Sequence, residues 1–419
     1  MAEIHRGLVG VICQLHQERD LCRNQNRKFP SPVGATYSAP TELEYSLGVP
    51  VLQRFRAYGA AFILDTSCLS PKFVACVTPH ETFSTLLRGP APVLALAPMQ
   101  DVTTLEFWRV LARDGGADAY WTEYFSVHGD SRPEKRILDS ITKNPTGKPV
   151  VAQLIGNNVP ALIRTAKELQ HYPIAAIELN LGCPAPVVYR KCAGGGLLRE
   201  PQKIDAILGA LRDAVTVPFT VKTRIGFESP VEFDALLPLF TKHPIDLLTV
   251  HARTVKQMYR PGVRYDMIAR AARELHCPVL ANGNVHSAAH AQAVLSETGA
   301  CGLMIGRGAI RNPWLFDQIR AQLRGEQLRS PTGRDVLAYV RELWENEITS
   351  DVKESTQVQR MKKFMNFIGE GVDEKFLHEI RRVTVINDFF RVCEHFLNHD
   401  RPMTLEPLAL PLNAGAAAG

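Results

Sequence analysis

From residue 91 onward the chain repeats one unit, a short apolar run rich in β-branched residues followed by a stretch of helical character. The runs are Val93–Met99, Ala117–Tyr124, Pro149–Gly156, Ala175–Gly182, Pro218–Gly226, Asp246–Ala252, Pro278–Val285 and Gly302–Ala309. Between them lie helix-like stretches such as Val159–Gln170, Pro201–Ala214, Val231–Lys242, Tyr265–Leu275 and Ser287–Thr298. Each run is nearly continuous in hydrophobicity, as a strand covered on both faces of a parallel sheet requires. Eight such units over roughly 220 residues predict an α/β fold, the TIM or (β/α)8 barrel. An open doubly wound sheet competes with it, but no GxGxxG follows the first run.

In such a barrel the chemistry gathers where the strands end. Here the runs finish on Pro98, Met99 and Gln100, then on Glu123, Gln153, and Asn180 with Cys183. The later runs finish on Lys222 with Arg224, His251, Asn282-Gly283-Asn284 and Gly306-Arg307-Gly308. A buried strand gains nothing in packing by ending on polar or glycine residues, so the recurrence predicts one shared site. Singly, each residue has a plainer meaning: a hydrogen-bonded core histidine, a snorkelling lysine, a small buried cysteine, a turn at Gly-Arg-Gly. Together they say more. A lysine confined within an apolar strand needs an anion, and Gly-Arg-Gly beside Asn-Gly-Asn matches the phosphate corner of these barrels. Cys183 opens a loop that continues through Arg190 and Lys191 to Gly194-Gly195-Gly196, which is expected to act as a lid. No His/Cys/Asp/Glu spacing suggests a metal site, so none is expected.

The flanks read differently. Residues 1–90 show no sustained period and hold four of the nine cysteines; they are expected to be an atypical leader. The barrel is assigned to 91–325. Residues 333–402 read as amphipathic helices, among them Val336–Ile348, Thr356–Ile368, Glu374–Thr384 and Phe389–Leu397, and 403–419 as a flexible tail. An odd number of cysteines without a CxxC argues against a disulfide framework and for a reducing cytoplasm. No segment is long and apolar enough to predict a membrane span. The net charge of +5 permits a nucleic-acid partner without demanding one. Within 334–401, 11 Lys and Arg face 13 Asp and Glu, so only a local stripe there can meet phosphate.

Eight segments, in order, resemble the tRNA-dihydrouridine synthase family. They are Leu-Ala-Pro-Met-Gln-Asp-Val-Thr (96–103), Thr-Glu-Tyr (122–124), Gln-Leu-Ile-Gly (153–156), Asn-Leu-Gly-Cys-Pro (180–184), Val-Lys-Thr-Arg-Ile-Gly (221–226), Val-His-Ala-Arg-Thr (250–254), Ala-Asn-Gly-Asn-Val (281–285) and Ile-Gly-Arg-Gly-Ala (305–309). The resemblance implies FMN at the barrel mouth, held by Pro98, Met99, Gln100, Gln153, Lys222, His251, Asn282, Gly283, Asn284, Gly306 and Arg307. It implies NADPH as reductant, hydride transfer to C6 of a flipped uracil, and protonation of C5 by Cys183 with Asn180 beside it. The tRNA would meet Glu123, Arg190, Lys191 and Arg253 at the barrel and Arg360, Lys362 and Lys363 on the helices. A monomer is expected. The triple glycine and the text around Gln359–Phe364 are similar to the bacterial C-type, which modifies U16 in the D-loop. Ala252 departs from the usual Val-His-Gly-Arg, and the leader has no counterpart. Two other readings compete: an FMN barrel acting on a free pyrimidine, like dihydroorotate dehydrogenase, and an RNA-binding protein without catalysis.

Overall fold

The computed structural model describes residues 55–57, 60–62 and 77–407. Strands β1 (Phe55–Ala57) and β2 (Ala60–Phe62) pair with each other in a sheet of their own. The rest of the section read as a leader, up to residue 76, and the end of the tail, 408–419, lie outside the described residues.

The barrel is built from β3 (Val93–Leu96), β4 (Ala119–Trp121), β5 (Phe125–Val127), β6 (Val150–Gly156), β7 (Ala176–Leu181), β8 (Phe219–Arg224), β9 (Leu247–His251), β10 (Val279–Asn282) and β11 (Gly302–Ile305). All pairings between them are parallel. β4 joins β3 to β6, and β5 continues along β6 in the same place, so nine strands fill eight positions and the ring closes. The expected TIM barrel is therefore the fold.

Around the ring, in chain order, run α1 (Pro79–Arg88), α2 (Leu105–Arg113), α3 (Lys135–Thr142), α4 (Val159–Leu169), α5 (Pro186–Tyr189), α6 (Pro201–Ala214), α7 (Phe233–Lys242), α8 (Tyr265–Glu274), α9 (Ala288–Thr298), α10 (Arg307–Arg311) and α11 (Leu315–Arg324). Thr104, Asn158 and Ser287 start α2, α4 and α9 by accepting a backbone N–H at the first turn.

Alternate residues of each strand face opposite ways. Leu94, Leu96, Ile177, Leu179, Val221 and Val250 face outward into the layer shared with the helices. Val93, Ala95, Trp121, Val151, Ala176, Leu247 and Leu280 form a second, inner cluster. Further along the same strands the inner positions turn polar, with Gln153, Glu178, Asn180, Thr220, Thr249 and Asn282 all buried. The interior is thus apolar at its floor and hydrogen-bonding at its mouth.

Helix α1 corrects the boundary drawn at residue 90. Phe83 is fully buried within the inner cluster, its ring edge-on to Trp121 at 6.0 Å between centroids. Residues 79–88 close the barrel floor. They belong to the barrel rather than to a leader.

Four helices follow: α12 (Gly333–Glu347), α13 (Glu354–Ile368), α14 (Glu374–Ile380) and α15 (Ile386–Leu397). They dock on the barrel through polar contacts as well as packing. Thr104 donates to buried Glu347 at 2.6 Å, Tyr339 donates to the Ile310 carbonyl at 2.8 Å, and Arg311 pairs with Glu370. The segment read as tail begins packed: Met403 N–H donates to the Pro331 carbonyl at 2.8 Å and Leu405 is fully buried. Among the described residues no helix is long and apolar enough to cross a membrane.

Candidate active site

A cleft opens at the barrel mouth, lined by Pro98, Met99, Lys222, His251, Tyr259 and the segments 282–285 and 304–308. Counting its open mouth it encloses about 600 Å³.

One wall is a glycine-built corner. Gly283 and Asn284 both have positive φ, 141° and 51°, an arrangement that turns successive backbone N–H groups to one side. A β-carbon on Gly308 would lie 2.3 Å from the Val285 carbonyl oxygen, and one on Gly306 would press on the Met99 sulfur at 3.1 Å. Only glycine allows β11 to end this close to the neighbouring loops. Arg307 reaches across the corner to donate to Asn284 Oδ1 at 2.9 Å.

The other wall is a polar network rooted inside the barrel. Lys222 donates to Asn282 Oδ1 at 3.0 Å, and Asn282 in turn donates to the Met304 carbonyl at 2.7 Å. Gln153 donates to Glu178 at 2.6 Å and accepts from Asn180 at 2.8 Å. Asn180 Oδ1 accepts the N–H groups of Gly182 and Cys183 at 2.9 and 3.0 Å. The carbonyl side of that turn is held too. Arg224 Nε donates to the Gly182 carbonyl at 2.8 Å, and Gly195 N–H donates to the Cys183 carbonyl at 3.1 Å.

The triple glycine is explained by this packing. A β-carbon on Gly194 would meet that of Cys183 at 3.0 Å, and one on Gly195 the Cys183 carbonyl oxygen at 2.8 Å. Residues 194–198 are buried, which corrects the expectation of a lid extending that far. Only the turn carrying Val187, Arg190 and Lys191 stands exposed.

Charge lining the cleft is one-sided, with Lys222 and Arg307 and no carboxylate among the described residues. Burial lowers Arg224 and Arg253 to about 10. Burial first, then Arg224, Lys222, Arg253 and Arg307, holds His251 well below the ordinary histidine value, so its imidazole is neutral. Beneath Lys222 lies a fully buried carboxylate, Glu178. Burial pushes Glu178 up and Lys222 down, and the attraction between their opposite charges resists both. Arg253 leaves Nη2 buried with no hydrogen-bond partner among the described residues. Such a site calls for an anion. For Cys183, burial raises the thiol above its usual range despite Arg224 and Lys222 nearby, so it stays protonated at neutral pH.

Lys222, His251 and Cys183 thus come from three adjacent strands, β8, β9 and the end of β7, in one rim. Pro98, Met99, Asn282, Gly283, Asn284, Gly306 and Arg307 line the cleft with Lys222 and His251, while Cys183 stands outside its lining. Gln100 is exposed and does not line it, and Gln153 is fully buried below, both ends of its amide engaged. Glu123, expected to face the substrate, is buried, accepting from the Asp101 N–H and pairing with Arg136. Arg253, expected to meet tRNA, is buried beside His251, which it approaches at 3.3 Å. On the helices Arg360 pairs with Glu347 at 3.1 Å and Lys363 with Asp101 at 3.5 Å; Lys362 is half-buried and forms no ion pair among the described residues. Sequence reasoning overlooked Glu178 and Tyr259. The half-exposed Tyr259 ring lies in the cleft mouth with the Arg307 guanidinium over it at 4.9 Å.

Fold and site together show a closed (β/α)8 barrel with a cation-lined cleft at its mouth and a protonated thiol nearby. The family model described as "Dihydrouridine synthase (Dus)" matches residues 95–394. The chain belongs to the dihydrouridine synthase family. It is 28% identical over 313 residues to a tRNA-dihydrouridine(16) synthase of Neisseria meningitidis serogroup A, covering 72% of this chain and 94% of that one. A probable tRNA-dihydrouridine synthase of Rickettsia conorii is 30% identical, covering 72% and 91%. Similarity to tRNA-dihydrouridine synthase B of Proteus vulgaris reaches 35% over 57% of this chain and 74% of that one.

Proposed function

We propose that the protein is an FMN-dependent tRNA-dihydrouridine synthase, a cytoplasmic monomer that uses NADPH to reduce the C5–C6 double bond of a D-loop uridine. The observation that carries this reading is the barrel-mouth cleft, lined by the cations Lys222 and Arg307 and, among the described residues, by no carboxylate. Gly283, Asn284, Gly306 and Arg307 would hold an FMN phosphate, and Lys222 would supply positive charge to the bound cofactor. Bound there, FMN supplies a hydride from N5 to C6 of the uracil.

The chain's own residues do the rest. Cys183 keeps its proton at neutral pH and delivers it to C5, with Asn180, Arg224 and Gly195 fixing the turn that carries the thiol. His251 remains neutral and donates or accepts a hydrogen bond without adding charge. The exposed face of Tyr259 offers a flipped base a stacking surface at the mouth. Exposed Arg190 and Lys191, with Lys362 on α13, suit phosphate contacts. U16 is the proposed target, because the similarity to a tRNA-dihydrouridine(16) synthase covers 94% of that relative.

The test uses purified protein loaded with FMN, NADPH, and D-loop-unmodified tRNA from a strain lacking the gene. The expected product is dihydrouridine at one D-loop position, formed by wild type and not by Cys183→Ala. Reduction of free uridine or orotate but not of tRNA would favour the free-pyrimidine reading, and a protein that binds no FMN would overturn both.

A further inference from the structure

Glu178 has no part in the chemistry proposed above, yet it is a fully buried carboxylate without an ion pair among the described residues. Its two oxygens accept from Gln153 Nε2 at 2.6 Å and from the Thr220 hydroxyl at 3.3 Å. With the Gln153 amide donating to one oxygen and the Thr220 hydroxyl to the other, the carboxyl group takes only the acceptor role here. Gln153 must therefore turn its NH2 toward Glu178 and its carbonyl away, where it receives Asn180 Nδ2 at 2.8 Å. With its NH2 committed, Asn180 presents its carbonyl to the turn and accepts from Gly182 and Cys183. Every bond in the row has one sense. Reversing it would aim the Asn180 NH2 at two backbone N–H donors and leave all of them buried without acceptors, which is costly.

We infer that Glu178 is a positioning residue: it fixes the polarity of a buried hydrogen-bond relay, through Gln153 and Asn180, that sets the backbone of Cys183. The register supports this. Gln153 lies opposite Glu178 on β6 and β7, and Glu178 and Asn180 share the inner face two residues apart. The consequence is specific. The relay needs an acceptor at its root, and it does not need that acceptor to be on β7.

The inference rests on Cys183 as the proton donor. Should Cys183→Ala reduce tRNA at the wild-type rate, that role fails, while the reactivity of Cys183 still decides whether the relay exists. The experiment compares FMN-loaded Glu178→Met, Glu178→Gln, Gln153→Glu and the double variant E178Q/Q153E. The rate of Cys183 alkylation by iodoacetamide is followed by peptide mass spectrometry, alongside kcat and KM on tRNA. In Glu178→Met the root acceptor is gone. Its Cys183 alkylation rate should change by more than about threefold, and kcat should fall ~10-fold or more while KM for tRNA holds, as for a misplaced reacting group. Glu178→Gln still offers an acceptor and should recover most of that loss. Gln153→Glu alone sets two carboxylates against each other and should be impaired. The double variant exchanges the two groups between the strands. Its amide, now on β7, donates to the carboxylate, now on β6, which still accepts from Asn180, so the alkylation rate should return toward wild type. Wild-type alkylation in Glu178→Met overturns the relay. If Glu178→Met does not fold, a double variant as impaired as Gln153→Glu overturns it equally.

Discussion

Arg224 joins the two loops that meet over the cleft, and replacing it with methionine should loosen both. Its Nε donates to the carbonyl of Gly182, next to Cys183. Its Nη1 donates to the carbonyls of Thr254 and Met258, the latter next to Tyr259, at 2.9 and 2.8 Å. Hydrogen bonds from a charged donor contribute about 1.5–3 kcal/mol each, but three that share one guanidinium do not add. The opposing term is the cost of burying a cation with no carboxylate beside it, visible in its value of about 10. Losing the guanidinium leaves its carbonyl partners short of a donor, at about 1–3 kcal/mol for each buried group left unsatisfied, and with non-additivity and relief of the burial Arg224→Met should cost about 3 kcal/mol. Methionine fills similar space, so the loss reports on polarity rather than on a cavity. Urea unfolding followed by tryptophan fluorescence measures it, with Arg224→Lys expected in between. A methionine variant within about 0.5 kcal/mol of wild type, the range of an ordinary surface change, would refute the claim that this side chain holds the rim together.

Three further outcomes follow from the same geometry. Phe83→Ala should destabilise the barrel by ~3–5 kcal/mol, since rigid strands and Trp121 surround the cavity it leaves; a midpoint of urea unfolding equal to wild type would detach α1 from the barrel floor. Gly308→Ala must push the Val285 carbonyl aside, an overpacking cost of ~1–3 kcal/mol, and should weaken FMN binding by tenfold or more in a fluorescence titration. His251 has its folded value below its unfolded value of about 6.5. The folded state therefore takes up fewer protons than the unfolded, and stability falls as pH drops below about 6.5; thermal unfolding at pH 5 and pH 7 should show a smaller difference in His251→Asn than in wild type.

The barrel was legible because its strands are covered on both faces and read as unbroken apolar runs. The site was legible because those runs end on groups that packing does not explain. Glu178 escaped notice inside such a run, although it shares an inner face with Asn180 and the neighbouring strand carries Lys222. A carboxylate in an apolar strand beside a lysine in the next is a readable signal. Tyr259 was not readable in the same way, because it lies in an irregular loop with no period to aim it. Helix α1 did announce itself through Thr78-Pro79-His80-Glu81, a capping box that the structure forms in full, but its ten residues are too few for a strong helical pattern. The misread basic residues share a different cause. Composition reveals that Arg360 and Lys363 are charged and conceals that Glu347 and Asp101 wait for them across the fold.

That last distinction decides which helical residue meets the nucleic acid. The helical domain is anchored on the loop after β3, through Thr104, and on α10, through Ile310 and Arg311. β3 and β11 are paired neighbours, and their ends supply Met99, Gly306 and Arg307 to the cleft. On the proposed function, a polynucleotide held on the helices would be presented in fixed register to the glycine corner. Arg360 is part of the anchor, since its removal leaves the Glu347 carboxylate buried with Thr104 alone. Lys362, on the same helix and without an ion pair among the described residues, keeps its charge for phosphate. Arg360→Ala should therefore cost about 1–3 kcal/mol of stability and leave the salt dependence of tRNA affinity as it was. Lys362→Ala should leave stability alone and lower the slope of log affinity against log salt by about one. Filter binding across salt concentrations, beside urea unfolding, separates the two, and the reverse assignment of slope and stability would show that the anchor and the RNA contact had been exchanged.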